Sequence, residues 1–444
     1  MKRRNFIKKA GLAAAGITGI PYILPTGRLF AATGSRVVNH VVYVLFAGGI
    51  RNQESVGQQF LMNQNSSLPA GNVMNNMLTG AEPSSNLIHD PWTPVLNTPL
   101  MEQGTLFKEV LYKNGPTGHY NGHTVAMTGN YTETGLNLNI NPDFPTIFEY
   151  YRKHSDPNES AMNAWWISEG LGPYPSLNYS QSTSYGAQYG ANYLRPQSIL
   201  GNAGQSQLGN AVSYQPDDVD RINRIKNILD NNFAQAGEQL PGIQNTPENR
   251  EQIKNFLLQK IEDTANGNLD VATPGNNPNL LTGDLINISA AWQVMDEFTP
   301  ELTVINTTNL DVCHDDFSAY LYFLHRADYG IGWLWNKIQS HPILADDTIM
   351  ICMPEHGRNL DRNNIVDANG LGAYDHTGDD NSRRVFAMIV GPDDKVVQGQ
   401  ALGSPNNPVA ESIDVVPTIA HILGFKDSVP AELMPGRVLD EALI

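Results

Sequence analysis

Met353-Pro354-Glu355-His356-Gly357-Arg358 is the stretch on which the reading of this chain turns. It follows Asp347-Thr348-Ile349-Met350-Ile351-Cys352, an apolar, β-branched run of the kind that forms a buried parallel strand. A carboxylate and an imidazole at the C-terminal end of such a strand stand where open α/β sheets place their ligands. Farther along, Tyr374-Asp375-His376-Thr377-Gly378 pairs an acid with an imidazole again. Upstream, Asp311-Val312-Cys313-His314-Asp315-Asp316 follows another apolar run, Leu302-Thr303-Val304-Ile305. Asp311, His314, Glu355, His356 and His376 are therefore candidate metal ligands, expected to share one cleft at the C-terminal edge of a parallel sheet.

Working outward, His40-Val41-Val42-Tyr43-Val44-Leu45-Phe46 reads as a first core strand ending in Ala47-Gly48-Gly49. Residues 53–115 are rich in Asn, Pro and Gly and read as loop. A helix over 145–154, with Pro145 at its first position, leads to a strand over 163–168. Residues 172–216 are dominated by Tyr, Ser, Asn, Gln and Gly, a surface loop or lid. Helical patterns over 219–236 and 247–265 extend it, so 172–265 is expected to be an insertion or cap bordering the cleft. Further helices are expected over 285–298, 316–339 and 411–423, the last closed by Gly424, with a strand over 385–392. Strands with continuous apolar runs alternate with helices, which predicts an α/β fold: a doubly wound, mostly parallel sheet.

The first 32 residues read as an address. A twin arginine, Arg3-Arg4, precedes a modestly apolar segment interrupted by Gly11, Gly16, Gly19, Pro21 and Pro25. A membrane anchor needs about 20 uninterrupted apolar residues, so a removable twin-arginine-type export signal is the expectation, with a periplasmic or extracellular mature chain over 33–444. That segment carries six basic and no acidic residues, and its removal takes the formal charge from -17 to -23. So acidic a chain is a poor partner for nucleic acid, whose phosphates need a basic face. No later segment has the length and hydropathy to span a bilayer. The two cysteines, Cys313 and Cys352, each adjoin a ligand cluster; two buried thiols are favoured over a disulfide.

In this order the motifs resemble those of the alkaline phosphatase superfamily, which includes sulfatases, phosphodiesterases and phosphoglycerate mutases. More narrowly, the chain resembles the exported, twin-arginine-bearing family of unknown function known as DUF1501. The residues that carry the resemblance are Ala47-Gly48-Gly49, Asp311-Val312-Cys313-His314, Glu355-His356-Gly357-Arg358, Asp375-His376-Thr377, and a tail with Ser412-Ile413-Asp414-Val415-Val416-Pro417 and Gly436-Arg437. The resemblance implies an alkaline phosphatase-like fold and one or two divalent ions, one on Asp311, His314 and His376 and the other on Glu355 and His356. It also implies hydrolysis of an anionic phosphate or sulfate ester, on a glycan-type or envelope substrate. Two positions depart from that family's pattern. Gly48 stands where its first-strand Asp would be, and counting back from Thr128-Gly129 puts His119 at the position of its Ser or Thr nucleophile.

Read for their chemistry alone, imidazoles with carboxylates suit zinc or manganese better than magnesium or calcium. His119 and His123, four residues apart, would share one helix face; His123 is either a ligand or a packing residue. Glu355 is a ligand or a general base, and Arg358 either holds an anionic oxygen or pairs with an acid such as Asp361. Arg51 is a second candidate for the anion. Asp414 reads as a helix cap. Two functions fit: a metal-dependent hydrolase with His119, Glu355 and Arg358 in catalysis, or a non-catalytic, metal-stabilised binding or envelope protein.

Overall fold

β1 (His40–Phe46) is buried along its whole length, and its alternate side chains enter two different cores. Val42, Val44 and Phe46 face one apolar cluster, whereas Val41, Tyr43 and Leu45 face the other. A strand sandwiched in this way favours apolar side chains on both faces, which is why Val41 to Phe46 read as a continuous run after His40, whose Nδ1 meets Pro300 O at 2.9 Å. The computed structural model describes residues 35–84, 87, 92–132, 141–155, 160–168, 176–196, 243 and 245–444. The export signal expected over 1–32 and the helix expected over 219–236 lie outside the described residues.

The remaining strands are β2 (Gly104–Leu111), β3 (Ala164–Ser168), β4 (Asn192–Leu194), β5 (Leu302–Asn306), β6 (Thr348–Pro354), β7 (Arg384–Val390), β8 (Gln400–Leu402) and β9 (Ala410–Glu411). They form one sheet in the order β4-β3-β5-β1-β6-β7-β2-β8, with β9 also on β2. β1 is parallel to β5 and β6, β3 to β4 and β5, and β2 to β8 and β9. β7 is antiparallel to both β6 and β2, so it is the one reversed strand among the described residues. The sheet is thus mostly parallel, as the alternation of strands and helices predicts.

Helices cover both faces. α1 (His119–Thr128), α2 (Ile147–His154) and α6 (Val415–Ile422) pack on the side of Tyr43, through Met127, Phe148, Tyr151, Val416 and Ile419. α4 (Gly283–Phe298) and α5 (Phe317–Ser340) pack on the side of Val44, through Leu285, Ile288, Leu321 and Leu324. α3 (Pro247–Ala265) joins the same core through Ile253, Phe256 and Leu257. Adjacent tryptophans on β3 divide between the faces: Trp165 stacks on Phe298 at 5.4 Å, and Trp166 meets Phe148 at 6.0 Å. Each such ring buries a large apolar area on one side only, so a one-residue slip of β3 would exchange the two cores.

Caps set the helix starts. Asp316 accepts from Ala319 N at 2.8 Å to begin α5, and Thr146 with Glu149 forms a capping box that begins α2. Pro145 therefore lies just outside that helix rather than at its first position, because the Thr-x-x-Glu pair supplies two hydrogen bonds that proline cannot. Asp414 is structural, but its carboxylate caps no N–H of α6: it accepts from Glu411 N at 2.8 Å, closing the capping box of the 3-10 turn before that helix, and from Arg437 N at 2.9 Å.

The larger surprise is β2, inside a region that reads as loop. Lys108 and Glu109 interrupt its apolar run, and the register on β7 shifts between Phe107 and Val110, a bulge that breaks the alternation. The described part of 172–265 supplies β4, the loop that packs on Glu149, and α3. Cys313 and Cys352 are both buried and free. No helix among the described residues is long and apolar enough to cross a membrane.

Topology then decides where chemistry can occur. β1, β5 and β6 are neighbours and parallel, so their C-terminal ends, Phe46, Asn306 and Pro354, emerge side by side. β2 ends at the same edge, since Leu111 pairs with Arg384 at the start of the reversed β7. The loops after these four strands carry the candidate ligands.

Candidate metal centre

His119 is the first residue of α1, preceded by Gly118 in an extended conformation. Helix α1 can come this close to the β6 loop because residue 122 is glycine: a Cβ there would lie 2.7 Å from Glu355 O. Asp311 and His314 sit on one 3-10 turn, Asn309–His314, whose start is held by Asp284 through Asn309 N at 3.1 Å. Glu355 and His356 leave the end of β6 directly, and His376 returns from the long β6–β7 loop.

These segments bring all seven candidate residues into one cluster. His119 Nε2 lies 3.0 Å from Asp311 Oδ1, and its Nδ1 lies 2.8 Å from Glu355 Oε1 and 3.1 Å from His356 Nε2. His314 Nε2 is 3.2 Å from the same Asp311 oxygen. The rings of His356 and His376 stack with centroids 4.1 Å apart, and His119 is 4.4 Å from His376. Among the described residues, two sets of donor atoms are compact enough to hold an ion: His119, Asp311, His314 and His376, and His119, Glu355 and His356. Within each set the atoms lie within 4.8 Å of one another.

Hydrogen bonds behind the cluster decide which nitrogens face it. His376 Nδ1 donates to Thr117 O at 2.6 Å, and His356 Nδ1 to Gly357 O at 2.7 Å. His314 Nδ1 faces Asp375 Oδ1 at 2.6 Å. In His356 and His376 the Nε2 lone pair is left toward the cluster, the arrangement that metal-ligating histidines share, and His314 turns its Nε2 to the Asp311 carboxylate there, which raises its pKa. His123 is different. It is fully buried, its Nδ1 meets Glu355 Oε2 and His119 O, and its Nε2 meets Asn306 Oδ1 at 2.9 Å. It braces Glu355 from behind.

The protonation states follow from this packing. Burial lowers His376, and the neighbouring His356, His119 and Arg358 lower it further, to about 2. His356 is likewise held below its ordinary value by burial. Both are neutral imidazoles. Burial would lower His119 too, but the Glu355 carboxylate and the Asp311 hydrogen bond outweigh it and push it up to about 10. Burial opposes ionisation of Glu355, yet the imidazoles of His123, His356 and His119 hold it well below the usual carboxylate range. Asp311 is depressed as well: burial works against it, and His119, His314 and Arg358 prevail.

Arg358 has a different partner from the one expected. It is fully buried and pairs with Asp311 at 2.9 Å rather than with Asp361. The Nη2 that pairs with Asp311 also meets Leu310 O at 3.3 Å and Gly48 O, and Nη1 donates to Tyr374 O at 2.8 Å. One guanidinium thereby ties together the loops after β1, β5 and β6. Asp361 lies on the exposed part of the β6–β7 loop, which is why chain proximity misleads here. Arg51 is also buried, stacked 3.7 Å over the ring of Tyr374.

Gly48 accounts for one departure from the expected pattern. Its φ is +94°, and a Cβ would stand 2.2 Å from Asp311 N, so no side chain fits. Its N–H donates to Glu355 Oε1 at 2.6 Å instead. Asn306 and the carbonyl of Thr117 have no place in the sequence reading, and Asp375, quoted there beside His376, turns out to serve His314. The first two act across the fold, on His123 and His376, and leave no local signal.

No family model and no curated protein matches the chain. Among solved structures, it is similar to a protein of the alkaline phosphatase superfamily from Vibrio parahaemolyticus, at 12% identity and TM-score 0.43, covering 97% of this chain and 79% of that one. It is also similar to a variant of the alkaline phosphatase PafA, at 11% identity and TM-score 0.44, covering 92% and 99% respectively. A phosphonate monoester hydrolase from Silicibacter pomeroyi follows at 15% identity and TM-score 0.39, covering 90% and 76%.

Proposed function

We propose that this chain is an exported, divalent-metal-dependent hydrolase of phosphate or sulfate esters, related to the DUF1501 family. The observation that supports the reading is the set of imidazole Nε2 atoms turned inward, each fixed by an acceptor behind its Nδ1 and interleaved with ionised Asp311 and Glu355. Left to themselves, stacked neutral imidazoles gain little from burial; a cation gives their lone pairs a partner. The donor set therefore fits a metal. Asp311, His314 and His376 would hold one ion, and Glu355 with His356 a second, with zinc or manganese suiting these donors better than magnesium or calcium. A bound ion supplies positive charge opposite the ester's oxygens and activates water.

The chain's own residues do the rest. Asp311, His119 and His314 are the partly exposed members, with side chains 28%, 19% and 29% accessible, so an anionic ester enters from their side. His119 lines that open side, its Nε2 facing Asp311 and its Nδ1 facing Glu355, and orients the entering ester. Arg358 is a positioning residue, fixing Asp311 and the Gly48 carbonyl. Asp375 orients His314, and His123 holds Glu355. The acidic mature chain disfavours nucleic acid as the substrate and leaves a small ester or a glycan ester.

A second reading is favoured by one observation: Glu355 and His356 have no solvent exposure, as in a closed, structural metal site. One experiment separates them. Purified chain is analysed for metal and assayed against a panel of chromogenic phosphate and sulfate esters, before and after chelation. Metal-dependent turnover supports the hydrolase; bound metal with no turnover of any ester supports the structural reading; absence of bound metal overturns both.

A further inference from the structure

We infer that His119 bridges two metal ions, giving Nε2 to the ion held by Asp311, His314 and His376 and Nδ1 to the ion held by Glu355 and His356. The inference rests on the metal-centre reading above and goes beyond it by naming the ligand the two subsites share. It stands on a partition of ring nitrogens. His314, His356 and His376 each commit Nδ1 to an oxygen behind them: Asp375 Oδ1 at 2.6 Å, Gly357 O at 2.7 Å and Thr117 O at 2.6 Å. His123 turns both nitrogens to the wall of the site, on Glu355, the His119 carbonyl and Asn306. Each of these rings can serve one ion at most.

His119 alone in the cluster has both nitrogens on ligand atoms and neither on a backbone carbonyl. Nε2 is 3.0 Å from Asp311 Oδ1, in one ligand set, while Nδ1 is 2.8 Å from Glu355 Oε1 and 3.1 Å from His356 Nε2, in the other. It is also the only residue that both sets contain. Its ring is aimed by the backbone instead: it opens α1, and its carbonyl accepts from His123 Nδ1 at 2.8 Å. The need for a bridge is visible across the site. Gly48 offers no carboxylate to the Glu355–His356 subsite, because a Cβ there would collide with Asp311 N. Without His119 that subsite keeps two ligands, too few for a stable ion. On bridging, the ring, which donates to Asp311 at Nε2 and to Glu355 at Nδ1, releases both N–H protons to solvent, and the imidazolate adds its negative charge to those of Asp311 and Glu355.

Copper(II), which imidazole donors bind well, makes the bridge visible without any catalytic assay. The full chain is stripped, loaded with copper, and measured for copper per chain and for integrated electron paramagnetic resonance intensity. A bridging imidazolate couples the two spins antiferromagnetically. The expected result is two copper ions per chain with a low-temperature signal far below the copper content. In His119→Ala, with an unchanged circular dichroism spectrum, the signal should equal whatever copper remains. Two ions with a full-intensity signal in the unsubstituted chain, or a single ion per chain, would overturn the bridge while leaving the metal-centre reading intact. Binding of neither copper nor zinc would remove both.

Discussion

Gly48→Ala adds one methyl group at the point where the β1 and β5 loops cross, and its cost can be worked out in advance. The backbone there has φ +94°, a region that costs a non-glycine residue about 1–3 kcal/mol. The new Cβ would stand 2.2 Å from Asp311 N, 2.6 Å from Leu310 C and 2.8 Å from Asp311 Cα. These are backbone atoms that cannot rotate away, and overpacking of this kind adds about 1–3 kcal/mol. Relaxation is blocked on both sides, because Gly48 N is bonded to Glu355 and Gly48 O to Arg358. The expected loss is about 4 kcal/mol in urea denaturation, within the range of a severe single substitution. Gly370→Ala provides the control: its φ is +81°, but nothing lies within 4 Å of the added carbon, so it carries the conformational part alone. Gly48→Asp should be at least as damaging as Gly48→Ala and should recruit no additional metal. Gly48→Ala no worse than Gly370→Ala would refute the steric account of why this position lacks a carboxylate.

Arg358→Met should cost about 3–5 kcal/mol in the same assay, since it strands Asp311 and three carbonyls without their shared partner. Arg358→Lys should rescue little of it, because one ammonium cannot reach all four acceptors. Burial pushes Glu54 up to about 7 from 4.5, against the opposing pull of Arg51. Its folded pKa is the higher, so its stabilising contribution is complete below 4.5 and is lost as pH rises through 7. Unfolding free energy should therefore fall by about 3 kcal/mol more over that interval in the unsubstituted chain than in Glu54→Gln; parallel pH profiles would contradict it. Chelation should lower the melting temperature, and zinc at 100 times its dissociation constant should return about 2.7 kcal/mol. A melting curve indifferent to both treatments would count against a resident metal.

How much of this could be read from residues alone differs from element to element. β1, β5 and β6 were legible because burial on two faces forces a continuous apolar run, and the ligands at their ends were legible with them. Helices with side-chain caps, such as α5 at Asp316, were placed to within a residue or so. β2 was not, because Lys108, Glu109 and the bulge erase its period, and its strand identity comes from β7 across the sheet. In the site, residue types gave the ligand candidates, but nothing local shows that Arg358 skips Asp361 for Asp311, or that His123 turns away from the cleft. Those assignments depend on which loops the sheet order brings together. The lack of an Asp at position 48 looked like a loss of chemistry and proves to be a packing requirement of the adjoining turn.

The pairing of β2 also has a consequence for the order in which the protein can be made. All of its sheet partners, β7, β8 and β9, lie beyond residue 383. On a ribosome adding ~5–20 residues per second, β2 waits on the order of 15–60 s after its own synthesis for a strand to pair with. During that time its edge is open, and residues such as Leu106 and Phe107 are without their final contacts, a state in which chaperones are the usual protection. His119 follows β2 directly into α1 and is placed by it, so the nascent chain carries Asp311, His314, Glu355 and His356 before it has a fixed imidazole between them. The cluster closes only when the last strands dock, so under the metal-centre proposal metal uptake would be a late event that reports a finished fold.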